Sequence, residues 1–208
     1  MTGKFITVEG VEGAGKSTAL AFIQQFIINQ ALPLVVTREP GGTEISEKIR
    51  ALLLDPQNQE LNSDTELLLM FAARAQHLGQ LIIPALEDNK WVLCDRFTDA
   101  TFAYQGAGRG IEYDKIANLE TFVQGDLRPD LTILLDISPE LGLQRVLQRG
   151  SLDRFEKEKN QFFEQVRNCY LKRVEQFPER FRVIDASQSI EGVQGQIAKV
   201  LDIFIKQN

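Results

Sequence analysis

The residues from Gly10 to Ser17 have the types and the spacing of a loop that binds phosphate. They read Gly-Val-Glu-Gly-Ala-Gly-Lys-Ser and match the pattern G-x-x-x-x-G-K-[ST]. In such a loop the glycines let backbone N–H groups point at phosphate oxygens, the lysine adds a positive charge, and the serine hydroxyl can ligate Mg²⁺. A glycine-rich turn that matches by chance is the alternative. The pattern therefore predicts a site for the phosphates of a nucleotide.

The elements around this loop are those that the motif requires. Phe5–Val8 has the composition of a short buried strand, and the spacing of apolar residues predicts a helix over Ser17–Gln30. Four further apolar runs predict strands at Leu34–Thr37, Trp91–Cys94, Leu131–Leu135 and Phe181–Ile184. Helices are predicted from Ser63 or Asp64, from Ser138-Pro139 to Gly150, and over about 156–177. We expect an α/β fold: a three-layer α/β/α domain with a five-stranded parallel sheet.

Charged residues follow the second and third predicted strands, at the sheet edge where ligands gather in such folds. Arg38 lies in Thr-Arg-Glu-Pro-Gly-Gly after the second strand and could clamp a phosphate, or form an exposed pair beside a turn. Asp95 and Arg96 follow the third strand. An acidic residue there is typical of the Mg²⁺ site of an enzyme with a phosphate-binding loop, and an adjacent arginine would offset phosphate charge.

Two further segments could contact a substrate base. Phe71 and Arg74 are three residues apart on a predicted helix and share a face, so a ring and a guanidinium could together bind a base. Phe71 could equally be a core residue. The segment from Thr101 to Gly110, which includes Tyr104 and Gln105, is polar, aromatic and glycine-rich, and is predicted as a helix that ends in a loop.

Three arginines cluster near Gly150: Arg145, Arg149 and Arg154. Arginines at this spacing usually form a solvated face. In a phosphoryl-transfer enzyme they could instead belong to a lid at about 146–158 that closes over the nucleotide. Asp153 and Glu156 could hold such a segment in place.

Composition limits the other classes of function. The chain has 208 residues and a formal net charge of −6, which argues against a general nucleic-acid-binding protein. Its two cysteines fit no metal spacing, and the single histidine, His77, leaves little for histidine-based catalysis. No leader or long apolar run is present in the sequence, so we expect a cytoplasmic protein that does not bind membranes.

Taken together, these motifs resemble those of bacterial thymidylate kinases, and the resemblance covers nearly the whole chain. It rests on the phosphate-binding loop, Thr37–Gly42, Phe71–Arg74, Asp95–Phe97, Ala103–Gly106 and Arg128–Thr132 in this order. The resemblance implies phosphorylation of dTMP to dTDP by ATP with Mg²⁺, and a homodimer. It also implies that ATP binds the following loop residues: Gly10, Val11, Glu12, Gly13, Ala14, Gly15, Lys16, Ser17 and Thr18.

The resemblance also implies roles for individual residues. Glu12 would contact the sugar 3′-hydroxyl, and Arg38 and Arg96 would hold the dTMP phosphate. Phe71 would stack on thymine while Arg74 reaches its O4. Thr101, Tyr104 and Gln105 would lie near the base and sugar, with Tyr104 excluding a ribose 2′-hydroxyl. Ser17 and Asp95 would hold Mg²⁺, and the catalytic residues would be Lys16, Asp95, Arg96, Arg149 and Arg154.

Some alternatives stay open. No arginine lies in the loop itself, so a lid arginine would reach the ATP, but the spacing does not decide between Arg149 and Arg154. Phe97 and Ala100 stand where relatives often have polar residues. A kinase for another nucleoside monophosphate is the second hypothesis, and a non-catalytic nucleotide-binding module is the third. A guanine-specific N-K-x-D motif is absent, because Asn89-Lys90 is followed by Trp91-Val92.

Overall fold

A five-stranded parallel sheet forms the centre of the computed structural model, which describes residues 3–147, 153–156 and 158–207. The strands are β1 (Phe5–Glu9), β2 (Leu34–Arg38), β3 (Trp91–Asp95), β4 (Leu131–Asp136) and β5 (Phe181–Asp185). Their order in the sheet is β2-β3-β1-β4-β5, and every neighbouring pair is parallel. The predicted strands and the predicted parallel sheet are therefore confirmed, each strand continuing one residue further than its apolar run.

The helices connect the strands as crossovers, as parallel pairing requires. They are α1 (Lys16–Asn29), α2 (Glu44–Leu54), α3 (Ser63–His77), α4 (Ile83–Glu87), α5 (Thr98–Thr101), α6 (Tyr113–Gln124), α7 (Pro139–Leu147), α8 (Asn160–Gln176) and α9 (Ile190–Gln207). Single π-helical turns follow α3 at Leu78–Ile82 and α5 at Phe102–Gly108.

The predicted helices are found, with some changes at their ends. Asn62, rather than Ser63 or Asp64, caps α3, because its side chain accepts a hydrogen bond from the backbone N–H of Asp64. The helix predicted over 156–177 begins only at Asn160. The predicted stop at Gly150 lies outside the described residues. The segment after Thr101 forms a π-helical turn before the loop, and such turns are frequent at functional sites.

Both faces of the sheet are covered, which explains why the strands are continuously apolar. On β3, Val92 and Cys94 pack into a cluster with Leu78 and Ile82 of the first π-helical turn. Leu93 packs on the other face with Ile23 and Ile27 of α1, among others. No helix in the described ranges is both long enough and apolar enough to span a bilayer. The two packed faces make the predicted three-layer arrangement and leave the carboxyl ends of the strands free to carry polar residues.

Candidate active site

The loop after β1 is built for a close approach of backbone to ligand. Gly13 and Gly15 have φ values of +74° and +89°, which residues with a Cβ rarely adopt. A Cβ on Gly13 would also lie 2.0 Å from the carbonyl oxygen of Gly142. α1 begins directly after the loop, at Lys16, so its N-terminus presents unpaired N–H groups to the same space.

Lys16 is held at the loop by its own backbone. Its ammonium group donates hydrogen bonds to the carbonyl oxygens of Gly10 and Val11, both at 3.0 Å, and lies 3.9 Å from a carboxylate oxygen of Glu12. Burial, and then the charge of Arg96, lowers the pKa of Lys16, while nearby carboxylates oppose the shift. The ammonium is thus fixed at the loop, where a phosphate would be its natural counterion.

A cavity of about 940 Å³ opens beside this loop at the carboxyl ends of the strands. Its volume is in the range of sites that hold drug-sized ligands. The predicted site residues that line it are Glu12, Gly13, Ala14, Gly15, Lys16, Ser17, Thr18, Arg74, Asp95, Arg96, Thr101, Tyr104 and Gln105. Residues Ala186–Gln194 near the start of α9 contribute a second apolar and amide-bearing part of the wall, including Gln188, Ile190 and Val193.

Arg96 is held in place by its backbone and by the carboxylate of Glu12. Its φ is +66°, and the backbone N–H of the next residue, Phe97, donates to the buried carboxyl group of Glu9 at 2.7 Å. The guanidinium donates to Glu12 at 2.5 Å and lies 4.7 Å from the ring centre of Tyr104. Burial alone would lower the pKa of Arg96, but Glu12 and its other neighbours raise it well above the ordinary value. Arg96 is therefore a permanently charged group in the cavity wall.

Asp95 is the residue that best fits Mg²⁺ chemistry. Its Oδ1 is buried and, among the described residues, has no hydrogen-bond partner, although an acceptor in such a position normally has one. Ser17, the predicted second ligand, is exposed at the first turn of α1 and lines the same cavity. No cluster of three or more metal-binding side chains occurs in the part of the chain that the structure describes. Mg²⁺ needs none, because one or two carboxylates together with substrate phosphates and water complete its shell.

The guanidinium of Arg74 is held in place by hydrogen bonds and by two aromatic rings. Its Nε donates to Glu39 at 2.7 Å, its Nη2 donates to Thr101 at 3.0 Å, and its guanidinium lies 4.8 Å and 5.0 Å from the ring centres of Phe71 and Phe97. The remaining nitrogen, Nη1, is buried with no hydrogen-bond partner among the described residues. Arg74 lines the cavity, so its side chain brings an unpaired donor, itself buried, to the cavity wall.

Several predicted site residues do not line the cavity. Gly10 and Val11 give their carbonyl groups to Lys16. Arg38 is 53% exposed and pairs with Glu47 at 2.9 Å. Phe71 is buried in the core beneath Arg74.

The three arginines of the cluster near Gly150 differ from one another. Arg154 is buried and donates to Glu66 and to the carbonyl oxygen of Leu53, at 2.5 Å and 2.8 Å. Arg145 lines the cavity and donates to the carbonyl oxygen of Ala186. Arg149 lies outside the described residues.

The structure also brings in residues that the sequence reasoning missed. Glu39, Pro40, Arg50 and Met70 all line the cavity. Met70 is four residues before Arg74 and Phe71 is three before it, so both spacings put a residue on the Arg74 side of the helix. The helical spacing therefore also pointed to Met70, but the sequence analysis assigned the base contact to Phe71 because its side chain is aromatic. Arg50 had no such signal, because it lies in the interior of α2, well beyond the motif after β2.

Comparisons with known proteins identify the family of the chain. A family model described as thymidylate kinase matches residues 8–197. A thymidylate kinase from Ectopseudomonas mendocina (strain ymp) is 57% identical over 206 residues, which are 99% of this chain and 98% of that protein. One from Teredinibacter turnerae is 54% identical over 99% of this chain and all of its own length.

A solved structure extends the agreement to the fold. The crystal structure of thymidylate kinase from Ehrlichia chaffeensis matches with a TM-score of 0.78 and 33% identity, covering 97% of this chain and 100% of that one. The resemblance inferred from the motifs and the predicted fold are thus confirmed, and the chain belongs to the thymidylate kinase family.

Proposed function

We propose that the chain transfers the γ-phosphoryl group of ATP to dTMP, the reaction named by the family to which it belongs. The observation that carries the assignment to this chain is the cavity itself. A phosphate-binding loop forms one part of its wall, and Arg74 forms another, with a buried N–H that has no partner in the described ranges of the chain. One cavity that offers both features can hold two nucleotides at once.

The acceptor nucleotide fits the part of the cavity around Arg74. An arginine only donates hydrogen bonds, so its Nη1 would bind the 4-carbonyl oxygen of thymine and would face an amino group on cytosine. Met70 and Phe97 supply apolar wall for the ring. Glu12 and Tyr104 share a hydrogen bond at 3.1 Å and would contact the sugar. We propose Arg96 and Arg50 as the ligands of the acceptor phosphate, with Arg38 as a further positive charge near it.

The donor nucleotide fits the loop and the N-terminus of α1. Backbone N–H groups and Lys16 would hold the β and γ phosphates, and the wall around Gln188 and Ile190 would receive the base. Ser17 and Asp95 would hold Mg²⁺, which, when bound, neutralises phosphate charge. The free Oδ1 of Asp95 supports this.

The chain has the groups that phosphoryl transfer needs. The acceptor is already a phosphate anion, so no strong general base is required, and catalysis consists of in-line positioning and charge neutralisation. Lys16 and Arg96 lie on the wall of the same cavity and can bring two anions together. Closure of the segment at about 146–158 would exclude water. Asp153, Phe155 and Glu156 of that segment line the cavity, which supports its role as a lid.

A coupled assay for ADP release tests this proposal with dTMP, dUMP, dCMP, AMP or no acceptor. We expect rapid turnover with dTMP and some with dUMP, because a thymine methyl group discriminates by only about 1–3 kcal/mol. Turnover with AMP but not dTMP would instead identify a kinase for another nucleoside monophosphate, and no turnover with any acceptor would favour a binding module. Lys16→Ala should abolish activity. Lys48→Ala is the matched control, since Lys48 is 71% exposed and pairs only with Glu44 in the described structure.

We also propose a cytoplasmic homodimer. Exposed apolar side chains lie on three neighbouring helices, α2, α3 and α6: Ile45, Leu52, Leu68 and Phe122, the last 85% exposed. Such a patch on a folded chain is typical of a protein interface, and a second copy of the chain would cover it. Buried free thiols at Cys94 and Cys169 are typical of a reducing compartment. Sedimentation analysis should give twice the mass of the chain, and a monomer at micromolar concentration would contradict this part.

A further inference from the structure

A chain of buried polar side chains lies behind Arg74, on the side away from its free nitrogen. Thr37 Oγ1 lies 2.7 Å from Nε2 of His77, and Nδ1 of His77 lies 3.1 Å from Oε1 of Glu39. The other carboxylate oxygen of Glu39 accepts from Arg74 at 2.7 Å. His77 is fully buried, and Glu39 and Arg74 are 5% and 2% exposed. The single histidine of the chain thus connects the strand β2 to the arginine in the cavity wall.

The partners determine which atom of His77 donates to Glu39. A carboxylate only accepts hydrogen bonds, so Nδ1 of His77 carries a proton and donates a hydrogen bond to Glu39. The hydroxyl of Thr37, which can donate or accept, pairs with Nε2. Each oxygen of Glu39 therefore has one fixed donor: Arg74 on one side and His77 on the other. A carboxylate tied at both oxygens cannot rotate, so it holds the guanidinium in one orientation.

The surrounding backbone is shaped to this chain. Gly42 has a φ of +86°, and a Cβ there would lie 2.4 Å from Nε2 of His77 and 2.5 Å from Oγ1 of Thr37. The glycine turn after β2 thus packs directly on the hydrogen bond between the two side chains. Thr37 and Glu39 lie on either side of Arg38 at the end of β2, and both bind buried partners while Arg38 pairs with the more exposed Glu47. The motif after β2 therefore holds the base-reading arginine through two of its residues.

We propose that His77 and Thr37 are positioning residues for base selection. They hold Glu39, and through it they direct Nη1 of Arg74 at the 4-position of the acceptor pyrimidine. This inference rests on the proposed function. Misalignment of Nη1 would weaken binding of dTMP, whose 4-carbonyl accepts the hydrogen bond. It would leave dCMP unaffected, because a 4-amino group gains nothing from that donor.

Two substitutions of the histidine separate this role from simple packing. The amide of an asparagine can take the place of Nδ1, while the amide of a glutamine reaches the place of Nε2. His77→Asn should keep a donor on Glu39, and His77→Gln should lose it. The measured quantity is the ratio of kcat/KM for dTMP to kcat/KM for dCMP. We expect His77→Gln to lower this ratio about ten-fold, through a higher KM for dTMP, and His77→Asn to keep most of it.

Controls make each outcome decisive. A purely structural role would lower the activity on both nucleotides equally, leave KM for dTMP unchanged, and so overturn the inference. If His77→Gln does not fold, Thr37→Val against Thr37→Ser carries the same test, with a smaller fall in the ratio expected only for valine. A wild-type enzyme without preference for dTMP would contradict the proposed function. A wild-type preference that these variants leave intact would contradict only the role of His77 and Thr37.

Discussion

Removing the contact between Arg154 and Glu66 tests whether the lid segment docks on the body of the protein through this arginine. The pair is buried, with side-chain exposures of 8% and 1%, and its atoms lie 2.5 Å apart. Glu66 also accepts from Gln105 at 2.8 Å, and Gln105 lines the cavity. With its guanidinium bound to Glu66 and to the carbonyl oxygen of Leu53, Arg154 acts in this structure as a docking group. The sequence left that role open between Arg154 and Arg149.

The structure gives the expected size of the effect. Removing one partner of a buried ion pair costs about 3–5 kcal/mol. Arg154→Met should lie at the lower end, about 3 kcal/mol, because Arg109 still faces the Glu66 carboxylate at 3.4 Å. Glu66→Gln should cost less, because an amide can still accept from Arg154. In the double variant no charge is left unpaired by the loss of the arginine, so we expect non-additivity of about 1–3 kcal/mol.

Urea unfolding of the wild type, both single variants and the double variant measures this coupling, and kinetics in the same four proteins measure its consequence. Docking through Glu66 predicts that Arg154→Met changes KM for dTMP, by way of Gln105, and that the double variant is no worse than the worse single variant. Additive stability losses within about 0.5 kcal/mol would refute the docking argument. So would a loss that falls entirely on KM for ATP and is the same with or without Glu66, since that is the result expected of a direct ATP ligand.

Two further predictions concern the buried Glu9, and Arg50 in comparison with Arg38. Burial, and then the charge of Asp99, raises the pKa of Glu9 from 4.5 to about 8. The folded chain thus holds a proton that the unfolded chain releases above pH 4.5. The contribution of Glu9 to the free energy of unfolding is therefore complete below pH 4.5 and is lost progressively up to about pH 8. Glu9→Gln cannot ionise and should flatten the fall of Tm with pH across this window; parallel curves would contradict the argument. Arg50→Met should raise KM for dTMP about ten-fold, while Arg38→Met, which breaks an exposed pair, should change it less than about five-fold. Steady-state kinetics with equal effects would reverse the assignment of Arg50.

Local patterns predicted the parts of the site that are local. The phosphate-binding loop, the strand before it and the helix after it are contiguous, so spacing alone defined them. Asp95 and Arg96 were predicted because parallel strands end at one edge of the sheet. In each case the residues concerned are adjacent in the sequence: one set lies between β1 and α1, and the other lies at the end of β3.

Local patterns say less about side chains whose direction depends on distant partners. Arg38 stays a predicted phosphate ligand, but its side chain is exposed and pairs with Glu47, whereas Thr37 and Glu39 on either side of it bind buried partners. The partner of Arg154 is Glu66, 88 positions away, and no local pattern joins them. Arginines near a predicted lid have the same composition whether they bind a phosphate or a buried carboxylate. Only the packed structure supplies the partner.

The distribution of charge explains how an acidic protein can bind two anions. The chain has a net charge of −6, and the cavity wall carries both signs of charge: the basic residues are Lys16, Arg50, Arg74, Arg96 and Arg145, and the acidic ones are Glu12, Glu39, Asp95, Asp153 and Glu156. Arg96 and Arg74 are each held by a carboxylate, Glu12 and Glu39 respectively. A cation with a fixed carboxylate behind it keeps its charge on burial and presents one set of N–H groups in one direction. The carboxylates near the site therefore work as orienting groups: each one fixes which atom of the ligand its cation can reach, so the site binds anions through the placement of its N–H groups and not through an excess of positive charge.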